Sequence, residues 1–419
     1  MTPLPPSPAA RVVARPWRLA PWSERLLVAV MAVVLITPGI ATLAGIDDEP
    51  ARDVVSVAPT ASSGTVSDAT TWGIRLADAA RAFSTSFAFR SRLVGAQAAL
   101  RYHVFGVSPL PTVIRGRDGW WFYGDDGSVE DSTLSTPFSE ADLEAWRRTL
   151  QHTADWLRAR GIAYVFVLAP DKPTIYPEFL PAALRRDATR ISRADQLVTM
   201  LRTRTTVPVV DLRAPLLAAK AGARIYHRTD THWNDRGAVV GYRAVIDAVR
   251  AQAPQIGAAF GDDRFRPDTR HVPGMDLPEM AGLAAHTTET DLTLVPVPAR
   301  RARVVEPVPA PPSFVAPRLT TALDDPALPR ALFYRDSFGS ALVPFLAEHF
   351  AHLVALWEYD VAPEAVRAER PDVVIQEWAG RRLYTRLPYD AVAADPAAAA
   401  EAASADAVAS ISSSPAARR

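Results

Sequence analysis

Apolar and polar positions are arranged along this chain in three ways: one long continuous run, several helical stripes and several short strand-length runs. The continuous run is Leu26 to Ile46, uncharged and mostly Leu, Val, Ala and Ile, close to the roughly 20 apolar residues that span a bilayer. Residues 47–70 turn to Ser, Thr, Ala, Val and Asp and read as a linker. From Thr71 to Phe105 apolar residues recur at helical spacing (Leu76, Ala79, Ala80 and Phe83, then Leu93, Ala96 and Leu100), which predicts one or two helices. Val113 to Tyr123 alternates instead. Its Asp118-Gly119 pair predicts a hairpin with a tight turn.

Beyond this point helix and strand patterns follow one another. Ser139, with Asp142 three residues on, caps a helix that runs to about Arg160 and stops at Gly161. Ile162 to Ala169 is a buried strand ended by Pro170-Asp171-Lys172-Pro173, and a helix over about Arg193–Arg204 precedes a second strand at Val207–Leu212. A helix covers Gly237 to Gln252. Residues 253–329 lack a clear period and include a Pro-rich stretch, Pro307–Pro317, so they read as a lid or excursion with little regular structure, most Pro-rich at about 296–330. Strand, turn and helix resume over Ala331–Phe350. A strand at His352–Glu358, a short helix at Pro363–Ala368 and a strand at Val373–Trp378 follow, and residues 391–419 form an Ala/Ser-rich tail expected to be disordered at its end. The alternation predicts an α/β fold, a mostly parallel sheet with helices on both faces.

Composition sharpens this picture at a few points. Arg11, Arg15, Arg18 and Arg25 precede the long apolar run, opposed only by Glu24, which puts residues 1–25 in the cytoplasm, makes 26–46 a transmembrane anchor and exports the rest. A cleaved signal peptide with a site near Thr42-Leu43-Ala44 would export the same body. Formal net charge is zero over 419 residues and no basic cluster occurs in the body, which argues against a nucleic-acid binder. There is no cysteine, so neither disulfides nor thiolate metal sites contribute. Lys172 and Lys220 are the only lysines among 46 basic residues, so neither serves as routine surface charge.

Two stretches carry chemistry. Tyr226-His227-Arg228-Thr229-Asp230-Thr231-His232-Trp233-Asn234 holds an acid and an imidazole at i, i+2, on one side of an extended chain. Phe333-Tyr334-Arg335-Asp336-Ser337-Phe338-Gly339-Ser340 puts a serine where a strand meets a helix. In parallel sheets that is where sites lie, and backbone N–H groups at such a turn can hold an oxyanion. A serine needs a base, and the base an orienting carboxylate: Ser337, His232 and Asp230 supply all three. Ser337 could equally be a plain helix cap. Asp230 and His232 could be a chance surface pair, or part of a zinc set with His227 and Asp235. Trp233 reads as a sugar platform or as packing. Lys172 beside Asp171 is a substrate-binding candidate or a solvated pair. Tyr123, Glu377 and Arg381 lie near strand ends, Tyr123 and Arg381 as further binding candidates, with a buried Glu377–Arg381 ion pair as the structural alternative.

The order Gly116-Arg117-Asp118-Gly119-Trp120-Trp121-Phe122-Tyr123, Ala169-Pro170-Asp171-Lys172-Pro173-Thr174-Ile175-Tyr176-Pro177, Arg228 to Asn234, Arg335-Asp336-Ser337-Phe338 and Pro371-Asp372-Val373-Val374-Ile375 resembles the SGNH-hydrolase-like proteins of the alginate O-acetyltransferase family, over about residues 75–390. The resemblance implies an SGNH-hydrolase-like α/β/α sandwich with permuted motif order, in a domain at 71–390. It implies an extracytoplasmic O-acetyltransferase that acetylates hydroxyls of an exopolysaccharide, beside a membrane-bound O-acyltransferase partner that brings acetyl groups across the membrane. By the same match Ser337 is the nucleophile, His232 the base and Asp230 its orienter, with no metal and no cofactor. Asn234 is a candidate second oxyanion donor. The same residues would serve a carbohydrate acetylesterase, and a non-catalytic glycan-binding or assembly protein could keep the fold without the chemistry.

Overall fold

A computed structural model describes residues 90–133, 136–185, 190–306 and 317–398, together with scattered helical positions between Leu26 and Ile40. Most of the expected anchor, the linker, the region 71–89, the Pro-rich residues 307–316 and the end of the tail lie outside the described residues. Among the described residues no helix is long and apolar enough to cross a membrane. The chain divides into two compact units, Met1–Gln97 and Ala98–Arg419.

Helix α1 (Arg90–His103) is followed by the hairpin β1 (Val113–Arg115) and β2 (Trp121–Tyr123). Its turn is built as the sequence requires, with Asp118 at φ 53° and Gly119 at φ 76°. Two consecutive left-handed residues make the tight turn, closed by Trp120 N–H donating to Arg117 O at 2.9 Å, and Asp-Gly tolerates them well. Next comes α2 (Glu140–Arg158), opened by a capping box in which the Ser139 side chain accepts Asp142 N–H and Asp142 reaches back to Ser139 N–H.

The main sheet has seven strands, lying side by side in the order Val209–Asp211, Ala163–Ala169, Val373–Ala379, Arg330–Tyr334, His352–Leu356, Arg318–Ala322 and Arg303–Glu306. They are β3 (Ala163–Ala169), β4 (Val209–Asp211), β7 (Arg303–Glu306), β8 (Arg318–Ala322), β9 (Arg330–Tyr334), β10 (His352–Leu356) and β11 (Val373–Ala379). From β4 to β10 all pairings are parallel, while β8 and β7 add antiparallel. Alternate side chains face opposite cores. Val165, Val167, Phe333 and Ile375 pack with the long helix Asp235–Arg250, whereas Tyr164, Phe166, Leu332 and Val374 pack with α2 and the helix Arg193–Arg204. Both faces are covered, which explains why the strands read as continuous apolar runs rather than alternating ones.

The excursion is more ordered than its sequence suggests. Phe265–Pro273 (β5) and Thr288–Pro296 (β6) form a nine-pair antiparallel hairpin, and β7 and β8 extend the main sheet from within the same region. The reading of 253–329 as largely irregular is therefore corrected. Most β5 side chains are exposed, so Arg266, Asp268, Arg270 and the two prolines hide a strand that owes its order to its partner rather than to burial. Between the two strands the short helix Asp276–Met280 closes the tip.

Candidate active site

Three parallel strands end at the site. β3 runs out into Asp171 and Lys172, β9 into Asp336 and Ser337, and β11 into Arg381. This is the carboxyl edge of the sheet, where chain reversals leave side chains and N–H groups free.

The acid–imidazole loop is a tight reversal. Tyr226 and Trp233 form an antiparallel bridge, and His227 N–H donates to His232 O at 3.2 Å. Asp230 Oδ1 accepts both the His232 backbone N–H and ring Nδ1, each at 2.8 Å. A carboxylate on Nδ1 fixes the proton there and leaves Nε2 as the basic nitrogen. His232 Nε2 is buried and has no hydrogen-bond partner. Burial works against the Asp230 carboxylate, but the hydrogen bonds and charge of His232 outweigh it and hold the group at about 2.

Lys172 is not a solvated charge. It is 1% exposed, and Nζ donates to the carbonyls of His227, Arg228 and Asp230 at 3.2, 3.1 and 2.6 Å. It closes on the inside of the loop and sets where Asp230 sits. Burial pushes its ammonium down to about 8, against the pull of Asp276, Asp230 and Glu289.

The excursion holds the loop from the other side. Glu289, 1% exposed, accepts Thr229 N–H and Oγ1 at 2.8 and 2.9 Å and pairs with Arg224 at 2.6 Å. Asp276 accepts Thr231 N–H at 3.0 Å. Ligand-type atoms of Asp230, His232 and Asp276 lie within 4.8 Å of one another. Burial, then the charge of Asp230, raises the Asp276 carboxyl. Neither Glu289 nor Asp276 was found from the sequence, because both come from the stretch whose pattern gave no period. The zinc set read there is also redrawn. Asp235 accepts Leu294 N–H at 2.7 Å and His227 faces Asp291 at 3.9 Å, so Asp276 replaces both beside the dyad.

Ser337 is the first residue of a four-residue helix whose cap is Asp336, its side chain accepting Phe338 N–H at 2.8 Å. Ser337 is thus not the capping residue, and it is half-buried. The Phe338 ring lies against His232 at 4.9 Å and against Trp233 at 5.1 Å, edge on. The Asp230–His232 dyad is therefore closed and packed against the neighbour of Ser337. Among the described residues Ser337 makes no hydrogen bond with Nε2. Such bonds are often loose until substrate is bound.

The remaining candidates separate. Trp233 is 2% exposed and packs against Phe338 and Tyr226, so it is no open platform. Asn234 caps the helix Asp235–Arg250 by accepting Arg236 and Gly237 N–H, while Nδ2 donates to Arg224 O, so its side chain serves the helix start. Arg381 pairs with Asp171 at 2.8 Å, not with Glu377, and its guanidinium lies 5.3 Å from the Phe338 ring and 5.7 Å from that of Tyr123. Tyr123, at the end of β2, is half-buried, and burial followed by Asp125 and Asp126 raises its phenol.

Two outcomes follow from this geometry. A Cβ at Gly339 would stand 2.6 Å from Arg335 Cβ and 2.8 Å from Glu377 Oε2. Gly339→Ala is therefore expected to cost about 1–3 kcal/mol, read as a lower denaturation midpoint, and to displace Ser337. Asp230 is held below its ordinary 3.8 in the folded chain. It thus contributes stability at pH values above that ordinary value, and the contribution is lost as pH falls from about 4 to about 2. Two units correspond to roughly 2–3 kcal/mol. Chemical denaturation should show Asp230→Asn less stable than wild type at pH 7, with the gap narrowing at pH 2.5.

Residues 113–358 match the profile of a family described as the SGNH hydrolase-like domain of acetyltransferase AlgX. A probable alginate O-acetylase AlgJ of Pseudomonas syringae pv. tomato is 30% identical over 164 residues, 38% of this chain and 39% of that protein. A probable alginate O-acetylase AlgJ of Pseudomonas putida is 30% identical over 160 residues, 37% of this chain and 38% of that protein. The match therefore spans well under half the length of these relatives. Among solved structures, the O-acetyltransferase domain of Pseudomonas putida AlgJ is 22% identical, with a TM-score of 0.43, over 66% of this chain and 94% of that one.

Proposed function

Since the chain belongs to the SGNH hydrolase-like, AlgX-type acetyltransferase family, we propose that it is an O-acetyltransferase acting on hydroxyls of an exopolysaccharide through a Ser337 acyl-enzyme. One observation carries the reading. Asp230 fixes Nδ1 of His232, and the opposite nitrogen, buried and unpartnered, lies in a ring packed on the residue after Ser337.

His232 Nε2 takes the Ser337 hydroxyl proton as the oxygen attacks the acetyl carbonyl. Asp230 stabilises the imidazolium that forms. The backbone N–H of Ser337 receives the oxyanion. As the tetrahedral intermediate collapses, His232 returns the proton to the leaving group. A sugar hydroxyl then gives its proton to Nε2 and attacks the acetyl-serine carbonyl; as this second intermediate collapses His232 passes that proton to the departing Ser337 Oγ, and the acetyl group is left on the sugar. Nothing in these steps calls on a metal or cofactor.

The arginine-flanked apolar run Leu26–Ile46 supports an anchor with the catalytic unit outside the cytoplasm. A membrane-bound O-acyltransferase that exports acetyl groups is the matching partner. The test is to incubate the full chain with an acetyl ester, with and without oligosaccharides of several uronic and neutral sugars. Acetyl on the sugar, abolished in Ser337→Ala, is the expected result. Ester cleavage with no sugar acetylated by any acceptor would make the chain an esterase.

A further inference from the structure

Behind the Ser337 turn lie two acids to which the acyl-transfer reading gives no role. Glu377, near the end of β11, is 0% exposed, and Asp336, directly before Ser337, is 2% exposed. Glu377 Oε2 accepts Asp336 N–H at 3.0 Å. Asp336 in turn accepts Phe338 N–H at 2.8 Å through Oδ1 and Ala379 N–H at 3.1 Å through Oδ2. The backbone on both sides of Ser337 is thus tied to β11 through these two side chains. The turn lies directly on Glu377, since a Cβ at Gly339 would come within 2.8 Å of Oε2.

The arrangement also works against a charge on Glu377. Glu377 Oε1 is buried without a hydrogen-bond partner. A buried carboxylate oxygen with nothing to bond is costly, and a neutral carboxyl much less so. Two carboxylates sharing one buried site raise the cost of charging the second, and the cost is greatest for the one with an oxygen left unbonded. Asp336 accepts the N–H groups of Phe338 and Ala379 on its two oxygens, and Glu377 those of Asp336 and Gly339, but only Glu377 keeps an oxygen with no partner. In keeping with this, burial and then repulsion from Asp336 drive the Glu377 carboxyl well above the usual carboxylate range.

We propose that Glu377 is kept as a neutral acid and is the positioning residue for the Ser337 turn, a role that rests on Ser337 being the nucleophile. A neutral carboxyl can accept at one oxygen and hold its own proton, so it supports the turn without placing a second negative charge behind the carbonyl that will gain an oxyanion. An ionised Glu377 would oppose that charge in a low-dielectric site.

Full-length wild type, Glu377→Gln and Glu377→Ala are compared for the rate of Ser337 labelling by a fluorophosphonate, for kcat and KM on an acetyl ester, and for melting temperature. Gln keeps a donor, an acceptor and neutrality, so E377Q should label and turn over within about threefold of wild type. E377A should lose about 100-fold in kcat and in labelling rate, with KM little changed, because a misplacement of about 1 Å is enough for such a loss. An E377Q variant as slow as E377A, or an E377A variant labelled at the wild-type rate, would overturn the assignment. If E377A does not fold, E377Q alone decides it. Failure of the wild type to label at Ser337 would instead remove the nucleophile on which both readings stand.

Discussion

His232→Ala should lower acetyl transfer by about four to six orders of magnitude and also lower the melting temperature, because the buried Asp230 carboxylate then keeps only the backbone N–H of residue 232. The ring is about a quarter exposed at its side chain and meets Phe338 edge on. Removing it takes away the group proposed to accept the Ser337 proton and leaves Asp230 without its ring partner. Asp230→Asn should be less severe, about four orders, because an amide in that place can leave the proton on Nε2, the wrong nitrogen. Combining His232→Ala with Ser337→Ala should be no worse than either alone, since residues that act as a unit do not add. Steady-state rates on an acetyl ester with a sugar acceptor check all three.

Lys172→Met is expected to have the second largest effect, on both stability and rate. Methionine matches the side chain's length but offers no donor, so the carbonyls of His227, Arg228 and Asp230 lose their shared partner. Arg228 O retains Trp121 N–H at 2.8 Å. The other two are left short inside the protein at about 1–3 kcal/mol each. Relief of the buried charge, whose ammonium is already pushed down to about 8, offsets part of this, for a net of about 2–3 kcal/mol in denaturant titrations. The loop that carries the dyad would also shift, lowering kcat about 100-fold. The same group predicts an alkaline limb. As pH rises through about 8 the ammonium loses its charge and one N–H, the clamp slackens and the wild-type rate falls. The residual rate of Lys172→Met should show no such decline.

The sandwich was readable where burial is two-sided. Ile162–Ala169 and Val373–Trp378 announce themselves as continuous apolar runs, and Ser139 with Asp142 marks a helix start by local hydrogen bonding alone. The Asp230–His232 dyad was readable for the same reason: two residues in extended chain meet by local geometry. What required the fold was everything that comes from a distance. Glu289 and Asp276 arrive on a hairpin whose exposed side chains show no period. Arg381 chose Asp171 over Glu377 because β3 and β11 are neighbours, with Ala379 opposite Ala169. The role of Asn234 was missed although its position before a helix is a recognisable capping signal, and Trp233 was open to two readings until Phe338 was seen to cover it.

In the proposed reaction acetyl passes through Ser337. The direct measurement is peptide mapping by mass spectrometry of the full chain quenched during turnover of an acetyl ester, in wild type and in His232→Ala. Acetyl is expected on the peptide containing Ser337, localised to that serine, in wild type, and is expected to be absent in His232→Ala. Turnover that proceeds with Ser337 unmodified, or acetyl found on another residue and transferred from it, would contradict it.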